Sequence, residues 1–252
     1  MKMSIPTTAI IDADIIAYKA ACYVDIEGYD EMEGRIKDDL KRWTPKETDS
    51  IVLTFSCKRK DNFRRQVWEG YKKKRDASVH PDSLSDCREY MSDNWETITE
   101  PSLEADDIMG IYVSRGEMLG VTIDKDLKTI PGYHWNPDKD KDIRYISEEE
   151  ADRFFHLQWM TGDSTDSIPG LWRIGPKKAT KLLDEWDVDT WDEEILEMYS
   201  KCSKVIELEV DPREFALSMA RSVRILRDTE YDFNTQEVSL WLPIVGYNND
   251  KE

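Results

Sequence analysis

Three short apolar runs set the tightest limit on how this chain folds. Thr8-Ala-Ile-Ile-Asp12, Ser50-Ile-Val-Leu-Thr-Phe55 and Gly120-Val-Thr-Ile-Asp124 are of strand length and rich in β-branched residues. Segments of helical character separate them, over 15–22, 30–43, 85–91 and 104–118. Parallel strands need such crossovers, and strands covered on both faces read as continuous apolar runs. The pattern predicts an α/β domain with a mostly parallel sheet flanked by helices. Further short strands are predicted at Glu96–Thr99 and Lys128–Ile130. From Ser147 onward the pattern turns helical, over 147–160, 175–186, 191–208 and 212–227, before a β-like end at Glu237–Leu242. Two domains are therefore expected, an α/β domain over 1–148 and a helical region over 149–252.

In open α/β sheets, ligands gather at the carboxyl ends of the strands. Asp12 and Asp124 fall there, and Asp126 follows closely. Glu104, Asp106 and Asp107 open a predicted helix, and Asp163 and Asp166 stand three residues apart. Any one pair has an ordinary reading, as a turn or as helix N-terminal charge favoured by the macrodipole. Gathered in one pocket, eight carboxylates repel unless cations neutralise them. Mg²⁺ or Mn²⁺ suits such oxygen donors. Two of these ions about 4 Å apart can clamp an in-line displacement at phosphorus. Phosphodiester hydrolysis is the chemistry implied.

The last acidic pair runs through Gly170 into Leu-Trp-Arg-Ile-Gly-Pro-Lys-Lys-Ala179, a glycine turn feeding a basic helix start. That arrangement binds phosphate backbone. The formal net charge of −18 argues against a nucleic-acid partner when taken alone. Its distribution argues the other way. Residues 58–75 hold nine Lys or Arg against Asp61 and Glu69, a local balance of +7, with Phe63, Trp68 and Tyr71 interleaved. The four cysteines are scattered, without a Cys-x-x-Cys pair, and read as reduced thiols. No apolar run reaches membrane-spanning length, and Pro6, Asp12 and Asp14 interrupt any leader-like stretch. A cytoplasmic protein with no membrane partner is expected.

These motifs together resemble the flap endonuclease/5′–3′ exonuclease family, particularly its bacteriophage branch. The resemblance covers most of residues 8–185. It rests on Ile-Asp12-Ala-Asp-Ile, on Phe63-Arg64 with Tyr71-Lys72-x-x-Arg75, and on Leu-Glu104-Ala-Asp106-Asp107. Asp124-Lys-Asp126-Leu and Gly162-Asp163-x-x-Asp166-x-Ile-x-Gly170 leading into Ile174-Gly175-Pro-Lys177-Lys178 complete it. Five motifs in the right order make a specific signal.

The resemblance implies a PIN-like α/β domain followed by a helix–three-turn–helix region. It implies that Asp12, Glu104, Asp106, Asp107, Asp124, Asp126, Asp163 and Asp166 hold Mg²⁺ or Mn²⁺ at two or more sites. Lys72 would contact the scissile phosphate, with Arg75 beside it and Arg64 supporting. Lys73, Lys74, Arg173, Gly175, Lys177 and Lys178 would bind DNA, and the 174–178 turn would hold K⁺. The implied protein is a monomeric metal-dependent 5′–3′ exonuclease or structure-specific 5′-nuclease of phage DNA replication. Its substrates would be duplex ends, flaps and RNA–DNA hybrids. The chain departs from the family where an Asp usually follows the second strand, since Ser56 and Cys57 stand there. Two other readings compete. Ile10-Ile-Asp12-Ala-Asp14 resembles the nucleophile motif of haloacid-dehalogenase-type phosphatases, and a non-catalytic DNA-binding module would keep the fold without the reaction.

Overall fold

The computed structural model describes residues 4–244. Residues 1–3 and 245–252, the outer ends of the two expected domains, lie outside the described residues. Strand β1 (Thr8–Asp12) runs straight into α1 (Ala13–Glu27), and α2 (Met32–Trp43) precedes β2 (Ser50–Thr54). The basic segment holds only a four-residue helix, α3 (Arg64–Val67). After it come α4 (Leu84–Asn94), β3 (Thr97–Ile98), α5 (Ala105–Ser114), β4 (Leu119–Val121), β5 (Gly132–Trp135) and β6 (Arg144–Ile146). Helix α6 (Glu148–Thr161) leads to a small hairpin of β7 (Gly162–Asp163) and β8 (Ile168–Pro169). The remaining helices are α7 (Pro176–Glu185), α8 (Trp191–Ser200), α9 (Ser203–Ile206) and α10 (Pro212–Val223). A second hairpin, β9 (Tyr231–Asp232) with β10 (Glu237–Val238), follows.

The main sheet has the order β3-β2-β1-β4-β5-β6. Its pairs are parallel except β5 with β6. Asp12 lies opposite Thr54, and Ile11 opposite Val121, so the carboxyl ends of three neighbouring strands share one edge. The fold class is thus α/β with a mostly parallel sheet.

The described chain divides into two compact units, interleaved in sequence. The first comprises residues up to 63, then 77–151 and 225–239; the second holds 64–76, 152–224 and the segment from 240. Helix α6 begins in the first unit and continues into the second.

In the first unit, successive residues of β1 face opposite ways. Ala9 and Ile11 join a core with Ile16 and Ala17 of α1, Ile36, Leu40 and Trp43 of α2, and Cys87 and Met91 of α4. Helix α5 packs against β1, β2 and β4. It also approaches the 225–226 segment closely: a Cβ on Gly110 would stand 2.3 Å from the Leu226 carbonyl oxygen. Glycine is required there by space alone.

The second unit has its own core of Phe155, Trp159, Met160, Ile195, Tyr199, Phe215 and Met219. Several of its buried polar groups are partnered across elements, as burial favours. Trp159 Nε1–H donates to the Ala216 carbonyl and Tyr199 O–H to the Trp159 carbonyl, each at 2.8 Å. His156 Nε2 meets Asp192 Oδ1 at 2.7 Å, and Asp192 Oδ2 accepts the Ile244 amide. Helix α7 buries Ala179 and Leu183 and leaves Lys177 and Lys178 exposed.

Three predicted elements differ. Lys128–Ile130 is not a strand, because Asp126–Thr129 closes a 3₁₀ turn whose Thr129 hydroxyl donates to the Asp126 carbonyl. The fifth strand begins instead at Gly132, whose φ of +131° suits glycine. The helix predicted over 191–208 breaks between Ser200 and Ser203, where Cys202 is extended. The last helix ends at Val223 rather than 227 because Arg224 is extended. Among the described residues, no helix is long and apolar enough to cross a membrane.

Candidate active site

Acids of the first unit collect at the carboxyl edge of the sheet. Asp12 ends β1 and is buried, with 6% exposure. Thr122, just past β4, donates its hydroxyl to Asp12 Oδ2 at 3.3 Å and accepts the Asp124 amide at 3.1 Å. Asp124 Oδ1 in turn accepts the Asp126 amide at 2.9 Å. Burial pushes the Asp12 carboxyl up to about 7, helped by the charges of Asp14 and Asp124. A carboxylate in that position is costly without a nearby cation.

The start of α5 is tied to the end of β2. Cys57 N–H donates to the Leu103 carbonyl (2.8 Å), and Ser56 Oγ accepts the Ala105 amide (3.0 Å). Glu104 is the N-cap, and with Asp107 it forms a reciprocal capping box that satisfies exposed helix-end amides. Asp106 stands one residue into the helix, partly exposed. These donors are all hard oxygens, the set that Mg²⁺ or Mn²⁺ takes. Among the described residues, no three His, Cys, Asp or Glu side chains already stand in metal-ligand arrangement. The fit rests on donor chemistry and on the uncompensated charge at Asp12.

The second unit carries the other predicted residues. Gly162 (φ +66°) and Gly170 allow β7 and β8 to approach so closely that a Cβ on Gly162 would meet Gly170 N at 2.4 Å. In the loop between them, Asp163 Oδ1 accepts the Thr165 and Asp166 amides, at 2.7 and 3.3 Å. Asp166 Oδ1 receives Arg75 at 2.6 Å, and its Oδ2 lies 3.6 Å from Lys72 Nζ. The Lys72 amide donates to the Asp166 carbonyl at 2.7 Å. Lys74 Nζ donates to the Ser164 carbonyl at 3.3 Å, while exposed Lys73 lies 3.8 Å from Glu69. Arg173, Gly175, Lys177 and Lys178 are exposed at the start of α7, whose first turn has Pro176 at its head.

Two predicted site residues have other tasks. Arg64 is not presented to a phosphate: it is only 2% exposed, and its guanidinium donates to the Ser222 and Arg224 carbonyls at the end of α10. Asp107 is not placed to ligate metal. It is fully buried, with Oδ1 accepting the Leu226 amide (3.2 Å) and Oδ2 the Glu104 amide (3.1 Å). Thr122, Ser56 and Arg88 were missed as site residues. Thr122 had a signal, a hydroxyl two residues before a predicted ligand, and Ser56 stood where the family usually has an Asp.

No family model matches the chain. It is 31% identical over 198 residues to DNA polymerase I of Rhizobium leguminosarum, 71% of this chain but 18% of that protein. Over 223 residues it is 29% identical to the exonuclease of Escherichia phage T7, covering 77% of this chain and 74% of the phage protein. Among solved structures, T5 5′-exonuclease with bound zinc superposes with a TM-score of 0.63 at 15% identity, over 86% of this chain and 89% of that one. Flap endonuclease-1 from Methanococcus jannaschii gives 0.53 at 15% identity, over 90% and 80%. The chain belongs to the flap endonuclease/5′–3′ exonuclease family, whose PIN-like fold it shares.

Proposed function

We propose that this protein is a divalent-metal-dependent 5′-nuclease. It hydrolyses phosphodiester bonds from 5′ ends of duplex or flapped DNA, and of RNA–DNA hybrids, in phage DNA replication, as a cytoplasmic monomer. The observation that carries the reading is Asp12: a buried carboxyl at the sheet's carboxyl edge, its pKa pushed up by burial and by the charges of Asp14 and Asp124. A nearby cation would stabilise the ionised form of such a carboxyl.

The assigned ligands for Mg²⁺ or Mn²⁺ are Asp12, Glu104, Asp106, Asp124 and Asp126. The order of the family's motifs assigns Asp163 and Asp166, of the second unit, to metal as well. Bound ions of this kind supply an activated water and neutralise charge on the leaving oxygen. The chain's own groups do the rest. Lys72 donates to a non-bridging oxygen of the scissile phosphate, where negative charge grows in the transition state. Asp166 pairs with both Arg75 and Lys72. Lys73 and Lys74 grip the strand as point charges. The Ile174–Lys178 turn, with Arg173, takes backbone phosphates and K⁺, positioning DNA without reading bases.

Digestion of 5′- and 3′-labelled duplex and flap DNA, with Mg²⁺ and with EDTA, tests the proposal. Release of 5′ label in Mg²⁺ alone is the expected result. Cleavage that persists in EDTA, or proceeds from 3′ ends, would refute it.

A further inference from the structure

We propose that Asp14, Ser56 and Arg88 form a positioning network that fixes the start of α5, and with it Glu104 and Asp106, against the ends of β1 and β2. The inference rests on the reading of Glu104 and Asp106 as metal ligands.

Ser56 lies two residues past β2, and all three of its polar groups are engaged by different elements. Its amide donates to Asp14 Oδ2 at 2.8 Å, from the first turn of α1. Its hydroxyl accepts the Ala105 amide of α5 at 3.0 Å. Its carbonyl accepts Arg88 of α4 at 2.7 Å. Arg88 also lies 3.7 Å from Asp14 Oδ1, with its guanidinium 4.7 Å over the Phe55 ring. One serine thus joins three helices at the sheet's carboxyl edge.

The consequence falls on α5. The first amides of a helix have no partner within it. The capping box of Glu104 and Asp107 satisfies amides on either side of Ala105, and Ser56 supplies the acceptor for Ala105 itself. The helix start is therefore capped from the neighbouring strand, so its carboxylates hold a set position relative to Asp12. Asp14 is close enough to Asp12 to raise its pKa. An acid that adds repulsion at that point has a structural task, and holding the Ser56 amide is that task. Groups that orient metal ligands typically change metal affinity about 10–100-fold when removed.

The test combines amide exchange at Ala105, measured in EDTA by NMR, with Mn²⁺ affinity measured by electron paramagnetic resonance. Ser56→Ala and Asp14→Ala are expected to speed exchange at Ala105 and to weaken Mn²⁺ binding about tenfold. Ser56→Thr, which keeps the hydroxyl, restores both. Asp14→Asn, which keeps an acceptor for the Ser56 amide, restores most of what Asp14→Ala loses. Ser56→Ala with unchanged exchange and affinity would overturn the network. So would an Asp14→Asn variant as weak as Asp14→Ala, which would mean that the charge acts directly on metal. If the unaltered protein bound no Mn²⁺, the metal reading would fail, and the exchange data alone would decide the network.

Discussion

Lys72 sits in left-handed backbone (φ +51°), a conformation that costs a non-glycine residue roughly 1 kcal/mol or more. Its amide and side chain both engage Asp166, which holds that conformation in place. A lysine so held suits a phosphate contact made at the moment of reaction. Lys72→Ala is expected to lower the single-turnover cleavage rate by on the order of 10²-fold, with a much smaller change in DNA affinity. Equal losses in rate and affinity would make it a plain backbone contact. Lys72 stood out in the sequence because its spacing from Tyr71 and Arg75 is local. Arg64 was misread because its acceptors, on Ser222 and Arg224, lie more than 150 residues away in sequence.

Two buried titratable groups of the first unit give opposite pH dependences. Burial lowers the His134 imidazole to about 4, and its Nε2–H donates to the Ile130 carbonyl. Its neutral form is favoured by folding, so that stability is present above the ordinary value of 6.5 and is lost as pH falls toward 4. Asp12, raised to about 7, does the reverse: its contribution is full below 3.8 and is lost as pH rises toward 7. Each effect is at most roughly 3–5 kcal/mol, from about 1.4 kcal/mol per pKa unit. In EDTA between pH 4 and 7, Asp12→Asn should gain stability with rising pH relative to the unaltered protein. His134→Gln should lose it. Urea midpoints across that range measure both, and parallel profiles for all three proteins would contradict the assignment.

At the scale of elements, glycines decide how closely segments pack. Gly110→Ala places a methyl group against the Leu226 carbonyl and Ile225. Overpacking of that kind costs about 1–3 kcal/mol, more than the gain of up to about 1 kcal/mol in helix propensity. A lower urea midpoint is expected, and an unchanged one would mean that the 225–226 segment yields easily. At α7, Lys177 and Lys178 are exposed beyond a Gly-Pro start, as phosphate contacts should be. Lys177→Ala and Lys178→Ala should each reduce the salt dependence of DNA binding by about one charge, evenly across sequences. A change confined to particular sequences would mean base contacts instead. The short buried strands and amphipathic helices were readable because their patterns are local. Glu104 and Asp107 could be read only as acids at a helix start. Their capping geometry, and the Leu226 amide that buries Asp107, depend on folding across the chain. The strand at 132–135 was displaced in the reading because the apolar Ile130 belongs to the exit of a 3₁₀ turn.

For the whole molecule, sign and distribution of charge do different work. A total of −18 repels DNA at a distance, whereas the basic run over 58–75 and the start of α7 attract it locally. Acids placed among those elements weaken nucleic-acid binding unless cations occupy them. The class of reaction was therefore visible in the order of motifs. The division of labour among the acids was not, since it depends on which carboxylates the fold buries. Mn²⁺ titration of the unaltered protein, Asp12→Asn and Asp106→Asn tests the central claim most directly. Saturable binding by the unaltered protein, weakened about tenfold or more in each variant, is the predicted result. Equal affinity in all three, or no binding by any, would contradict it.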